Sequence, residues 1–363
     1  MRKFMSILLS MCLLLTVISG CAQSNPQNGE LNNSSAEPTD GTPTNEKISV
    51  ISTIFAPYDF VRQIVGDKAE VTMLLPPGSE SHSYEPTPQD IIKIQNCDVF
   101  VYVGGDSDAW VQQIFESMDT SNMKIITLMD CVEVVEEEIV EGMEDSHGHS
   151  HDEDHEHEHG DEDHHDDHDD EHHDHEHSDE EHSEHHEHEY DEHVWTSPKN
   201  AKIIVQKLSD ALCGTDPANA VAYKNNADGY IAQLDELDTK FQAIVDNSAR
   251  KTIIFGDRFP FRYFADAYGL EYFAAFPGCS TETEASAATV AFLIDKVKAE
   301  NIPVIFHVEL SNQKMANTIS EETGAEVLLF HACHNVTRDE MASGVTYIDL
   351  MNQNAENLKE ALR

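Results

Sequence analysis

Basic residues are scarce. Across 363 residues, 22 Lys and Arg face 69 Asp and Glu, for a formal charge of −47. A surface of that sign repels phosphate backbones, which excludes nucleic acid as a partner and weakly favours cationic ligands. The charge is unevenly spread: residues 147–189 hold 21 acids and 17 His with no Lys or Arg, and without those acids 48 stand against 22 bases, or −26. What remains is an acidic but ordinary globular chain, long enough for two domains. Cysteines are few, seven in all, and none has the spacing of a zinc ribbon. The chain also lacks a His-Glu-x-x-His helix and a clear separate general base, which argues against a metallohydrolase.

The N-terminus carries Arg2 and Lys3, an apolar run from Phe4 to Ile18, and then Ser19-Gly20-Cys21. A basic start and a short apolar segment describe an export signal, too short for a comfortable membrane span. The small-small-Cys ending resembles the bacterial lipobox, which implies cleavage before Cys21 and lipid on its sulfur. The lipid would hold the protein on the outer face of a bilayer. Residues 1–21 are therefore expected to be a lipoprotein signal. Residues 22–46, rich in Asn, Ser, Pro, Thr and Gly, are expected to be a flexible tether. Cys12 leaves with the signal. Of the five remaining cysteines, Cys279 and Cys333 both follow strands of the second half and are the candidate disulfide pair.

From Lys47 onward, β-branched runs alternate with helical spacing. Strands are expected at 48–54, 71–75, 99–103 and 124–128, and again at 252–255, 270–276, 304–306 and 327–330. Thr87-Pro88-Gln89-Asp90 is a helix start, with Thr as cap and Pro in the first turn. After a helix at 198–212, Tyr223, Ala227, Tyr230, Leu234, Leu237, Phe241 and Ile244 form a three-four apolar stripe. Roughly 30 residues at about 1.5 Å each make a rod of ~45 Å, longer than one small domain. The predicted class is α/β: two lobes, each a parallel sheet flanked by helices, joined by one long rigid spine helix, with a metal site in the interlobe cleft. The expected bounds are an N-terminal lobe at 47–215 with a disordered loop at about 135–190, the spine at 216–248, and a C-terminal lobe at 249–363.

The tract 147–189 contains His147, His149, His151, His155, His157, His159, His164, His165, His168, His172, His173, His175, His177, His182, His185, His186 and His188. Imidazole suits zinc, copper and nickel, and interleaved carboxylates add charge. With no apolar residue to bury, the tract is expected to be a loop that binds several ions loosely. A specific site needs histidines in ordered context, and outside the tract there are five: His82, His193, His307, His331 and His334. His82, His193 and His331 each fall between a strand and a helix, where ligands converge on a cleft. His307 follows a buried strand and fits packing as well as ligation. His334 is either a ligand or a loop residue.

The motif Ser81-His82-Ser83-Tyr84-Glu85-Pro86-Thr87-Pro88 is similar to that around the first metal histidine of solute-binding lipoproteins for zinc and manganese ABC transporters. Asp191-Glu192-His193-Val194-Trp195 with Pro198-Lys199-Asn200-Ala201 resembles the second. Tyr263-Phe264, Tyr268-Gly269-Leu270, Phe306-His307-Val308-Glu309 and Glu322-Thr323-Gly324-Ala325 resemble the C-terminal half, so the likeness covers about residues 47–362. It implies two lobes with limited hinge motion and a metal held between them. It also implies a binding protein without chemistry of its own that serves a membrane ABC permease, acts as a monomer and carries Zn2+, with Mn2+ as the alternative. An acidic, His-rich loop before the second histidine is seen in the zinc members. Two departures stand out. Glu192 replaces a common proline, and the third-ligand loop reads Gly256-Asp257-Arg258-Phe259-Pro260-Phe261. Asp257 is the donor available in that loop, with a structural pairing to Arg258 as the alternative. The family's fourth position falls near His331. The expected ligand set is thus His82, His193, His331 and Asp257, with Glu309 orienting a ligand or ligating directly and His334 as a further alternative. The competing reading is a surface metal store or adhesin that acts through the tract.

Overall fold

The computed structural model describes residues 47–143, 190–280 and 284–363. The signal with Cys21, the tether and the tract histidines lie outside them. The first half contains β1 (Ser49–Ser52), α1 (Phe55–Val65), β2 (Glu70–Met73), α2 (Pro88–Gln95), β3 (Val99–Tyr102), α3 (Ala109–Ser117) and β4 (Lys124–Thr127). These strands form one parallel sheet in the order β2-β1-β3-β4. Two helices follow, α4 (Pro198–Thr215) and α5 (Ala220–Asp246). The second half contains β5 (Thr252–Phe259), α6 (Arg262–Tyr268), β6 (Glu271–Pro277), α7 (Ala287–Glu300), β7 (Val304–His307), α8 (Lys314–Thr323), β8 (Glu326–Leu329), α9 (Arg338–Ser343) and α10 (Tyr347–Ala361). Its sheet repeats the first, in the order β6-β5-β7-β8.

Period-two alternation sets the layers. On β1, Val50 joins a large core while Ile51 joins a small one with Ile94, Phe100 and Val111. On β5, Ile253 and Phe255 enter the same large core, while Ile254 turns to Phe273, Leu293 and Ile305. The large core is therefore common to both sheets, and α5 runs through it with Tyr223, Ala227, Tyr230, Leu234, Leu237, Phe241 and Val245 buried. The helix starts at Ala220, a few residues after the expected Asp216, because Asp216 accepts from the Asn219 side chain and the Tyr223 hydroxyl in the turn before it. The Thr87 cap forms as expected, with reciprocal bonds between Thr87 and Asp90.

Two expectations are corrected here. The segment 135–143 is not part of a loose loop. Glu136 bridges Tyr190, the Asp191 amide donates to the Val135 carbonyl, and Val135, Val140 and Met143 pack on the core. Cys279 and Cys333 are both free thiols, as are Cys97, Cys131 and Cys213.

One buried carboxylate fastens the halves together. Asp59 on α1 is fully buried and accepts from Arg62 (2.6 Å), Gln63, the Tyr230 hydroxyl of α5 and the Tyr347 amide of α10 (2.7 Å). Arg62 also donates to the Val345 carbonyl. Removing the carboxylate strands the Tyr230 hydroxyl and the Tyr347 amide away from water and leaves Arg62 with the Val345 carbonyl alone. Asp59→Ala is therefore expected to lower the unfolding free energy by about 3 kcal/mol, read as a shift of the urea midpoint with an unchanged slope.

Candidate metal centre

Ligands in parallel α/β sheets gather at the carboxyl ends of strands, and here both sheets turn those ends toward one cleft. His82 lies on the loop after β2. His193 precedes a short 3-10 turn (Val194–Thr196) that leads into α4. His334 lies on the loop after β8. The ligand nitrogens of these three residues are all within 4.8 Å of one another. Their rings meet edge-on or nearly so, with centroids 5.9 Å apart for His82–His193, 5.2 Å for His82–His334 and 4.8 Å for His193–His334. Nitrogens about 2 Å from a tetrahedral ion would each need to move inward by less than about 1 Å.

Each ring is oriented through Nδ1. The His193 Nδ1–H donates to Asp191 Oδ1 at 2.9 Å, and the same oxygen accepts the His193 amide at 2.8 Å. His82 Nδ1 is 2.9 Å from Ser107 Oγ, and Ser107 donates in turn to Glu192 in a short hydrogen bond. The serine oxygen is thus left to accept from the imidazole. His334 Nδ1 faces Glu309 Oε1 at 3.5 Å. With Nδ1 protonated, the lone pair is on Nε2. The Nε2 atoms of His193 and His334 are buried and have no hydrogen-bond partner. Such orphans are rare in a folded interior, and a metal ion is a partner that fits them.

Two glycines let the carboxylates and rings close in. A side-chain carbon at Gly105, where φ is +78°, would meet Glu192 Oε2 at 2.6 Å, and one at Gly278 would meet His193 Cε1 at 2.9 Å. Glu192, standing where the family motif has proline, is almost fully buried and also accepts the Ser107 amide.

Electrostatics divide the three rings. Burial holds His82 well below the ordinary imidazole range, with the charges of His334, His193 and Arg258 adding to it. Burial lowers His334 too, against the opposing hydrogen bond to Glu309. For His193 burial acts the same way but is outweighed by Asp191, so its pKa lies above the usual value. Burial alone would raise the Glu309 carboxyl. His331, the hydrogen bond and charge of His334, and the Ala332 amide together hold it far below the carboxylate range. Glu309 accepts the Ala332 and His334 amides at 2.7 and 2.9 Å.

Two residues of the expected ligand set lie elsewhere. His331 is not among the clustered ligands. Its Nδ1 accepts the Cys333 amide at 2.9 Å and faces Glu309 Oε2 at 3.5 Å, and its Nε2 is a third buried imidazole nitrogen without a hydrogen-bond partner, outside the cluster. Asp257 is held on β5, which continues past the expected end at Phe255 through a register shift and re-pairs Arg258 with Phe276. The Asp257 carboxylate accepts the Arg258 and Val308 amides, while the Arg258 guanidinium turns to Glu80. His334, held only as an alternative, takes the third place. His307 bonds the Val308 carbonyl and stays outside the cluster. The ring-orienting roles of Asp191, Ser107 and Glu192 were not foreseen. An acid two residues before a candidate ligand, as at Asp191, is the signal that could have found the first.

Comparison with known proteins follows the same lines. The sequence model of the ZnuA family, described as zinc-uptake complex component A, periplasmic, matches residues 50–361. The high-affinity zinc uptake system protein ZnuA of Bacillus subtilis is 32% identical over 317 residues, covering 87% of this chain and 88% of that protein. The zinc-binding lipoprotein AdcA of Streptococcus pneumoniae is 29% identical over 360 residues, and this chain spans 61% of its length. The crystal structure of the Zn(II)-bound ZnuA-like domain of AdcA superposes with a TM-score of 0.65 at 26% identity, over 87% of this chain and 99% of that domain.

Asp191→Asn removes the charge that orients His193 while keeping a side chain of the same shape. Metal affinity, read by chelator competition, is expected to fall about 10- to 100-fold with the circular-dichroism spectrum unchanged.

Proposed function

Because the chain belongs to the family of zinc-uptake complex component A proteins, we propose that it is an extracytoplasmic zinc receptor that captures the ion between its lobes and delivers it to an ABC-type permease. The observation that carries this reading is the convergence of three imidazoles, two with buried, unpartnered Nε2 atoms. His82, His193 and His334 bind the ion, and Asp191, the Ser107–Glu192 pair and Glu309 hold the rings in the Nδ1–H form. Three neutral nitrogen donors suit zinc, whereas manganese and magnesium favour oxygen-rich sites. Copper would bind such a set at least as strongly, so discrimination against it rests on geometry and supply.

Lipid on Cys21 holds the receptor at the membrane, and residues 22–46 give it reach toward the permease. The tract 147–189 gathers zinc loosely and raises its local concentration. The described chain resumes at Tyr190, three residues before His193.

Deletion of 147–189 tests the reading. One tight zinc per chain should remain, preferred over manganese by at least about 100-fold. In that background His82→Ala or His334→Ala should weaken zinc by about 100-fold or more, while His331→Gln and Asp257→Asn stay within about threefold. Zinc binding that disappears with the tract would instead make the chain a metal store, and the three-histidine centre would be wrong.

A further inference from the structure

The centre opens to the surface through a small cavity of about 340 Å3, mouth included, and Arg258 and Glu80 both line it. They come from opposite lobes. Glu80 is on the loop that carries His82, and Arg258 is near the end of β5. The guanidinium is bidentate on the carboxylate, with Nη1 to Oε1 and Nη2 to Oε2 both at 3.2 Å, and Nη1 also donates to the Ser280 carbonyl at 3.2 Å. The same loop is fastened a second way. Asn335, almost fully buried, donates to the Pro76 and Ser79 carbonyls at 2.8 and 2.9 Å. The two ties differ in kind. The amide tie is dry and costly to break. The ion pair meets water at its Glu80 end, whose side chain is 42% exposed against 14% for Arg258, and pairs that reach water exchange at less cost than dry ones. A fixed positive charge beside a cation site is otherwise a liability. Arg258 already acts on His82 and His334 as a like charge, and Glu80 is the group that neutralises it.

We propose that Arg258 and Glu80 form a latch across the mouth of the centre, joining lobe to lobe, which slows release of the bound ion and cancels the arginine's repulsion of it. The latch rests on the zinc reading above and sets the kinetics of that site.

The test uses the full chain loaded with one equivalent of zinc after loosely held ions have been stripped by a mild chelator. Transfer to a strong fluorescent chelator is followed by stopped flow, and equilibrium affinity by competition. Arg258→Gln should release zinc roughly three- to fivefold faster than the unaltered chain. Glu80→Gln leaves the guanidinium uncompensated and should weaken affinity about tenfold. That loss should vanish when Arg258→Gln is also present. An equal effect of Glu80→Gln in both backgrounds, or wild-type release from Arg258→Gln, overturns the latch. If instead the unaltered chain holds no tight zinc that His82→Ala removes, the zinc reading fails, and the two failures are told apart.

Discussion

Three imidazoles can aim Nε2 lone pairs at one point only if each Nδ1 keeps its proton and has an acceptor to give it to. Much of the local architecture meets that requirement. Asp191 lies two residues before His193 and bonds both its ring and its amide. Ser107 sits between His82 and the buried Glu192. Glu309 sits beneath the loop after β8 and takes two of its amides as well as facing the His334 ring. Each acceptor comes from the same half of the chain as the ring it faces, so the rings are oriented within each lobe and brought together when the lobes pack. Carboxylates buried without partners would be costly. Here their backbone donors offset that cost before any ion arrives.

The shared core explains why the lobes hold this geometry. A cleft between two domains joined by a flexible linker would let the rings drift by several ångströms on domain motion. In this chain α5 is continuous through one hydrophobic cluster that includes residues of both sheets, and Asp59 bonds α1 to α5 and α10. The Phe55 amide donates to the His334 carbonyl, tying the start of α1 to the loop that carries the third histidine. Large rotations would break all of these together. The loop that carries His82 is tied to the loop after β8 as well, through the Gly78 amide to the Val336 carbonyl at 2.8 Å and through the Asn335 side chain.

Much of the fold was legible in the sequence because it rests on local rules. Val99-Phe100-Val101-Tyr102 is a buried strand in either reading, and the Tyr223-to-Val245 stripe has a single face. The short α9 went unseen, although Thr337 and Glu340 form a full capping box at its start. The site was legible in part. His82 and His193 fall in motifs whose loop positions are set by adjacent strands and caps. His334 was harder to choose over His331, since the two are close in sequence and both follow the same strand. What separates them is Cys333, which takes φ +62° and reverses the backbone between them. Cysteine carries no preference for that left-handed region, so composition gave no warning of it. Asp257 was misjudged for a related reason. A register shift carried β5 onward and left the carboxylate on backbone amides, which no hydrophobic pattern reveals.

The donor set also bears on the proposed division between an acidic, His-rich tract and a three-imidazole centre in one chain. A carboxylate-rich site gains affinity from charge, and charge discriminates poorly among divalent ions. Buried imidazoles gain from geometry instead, and they bind only an ion that has shed most of its water. On the proposed reading the tract would supply the first kind of binding, with many acids and histidines and no Lys or Arg among them. The cleft would supply the second, with His82 and His334 favoured in the neutral form by burial and His193 held by Asp191. Asp191 and Glu309 engage the Nδ1 side of His193 and His334, and Glu192 reaches His82 through Ser107, so their charge orients the donors. Selectivity in this arrangement comes from which atom of each imidazole faces inward, and that choice is made by the acids on the other side.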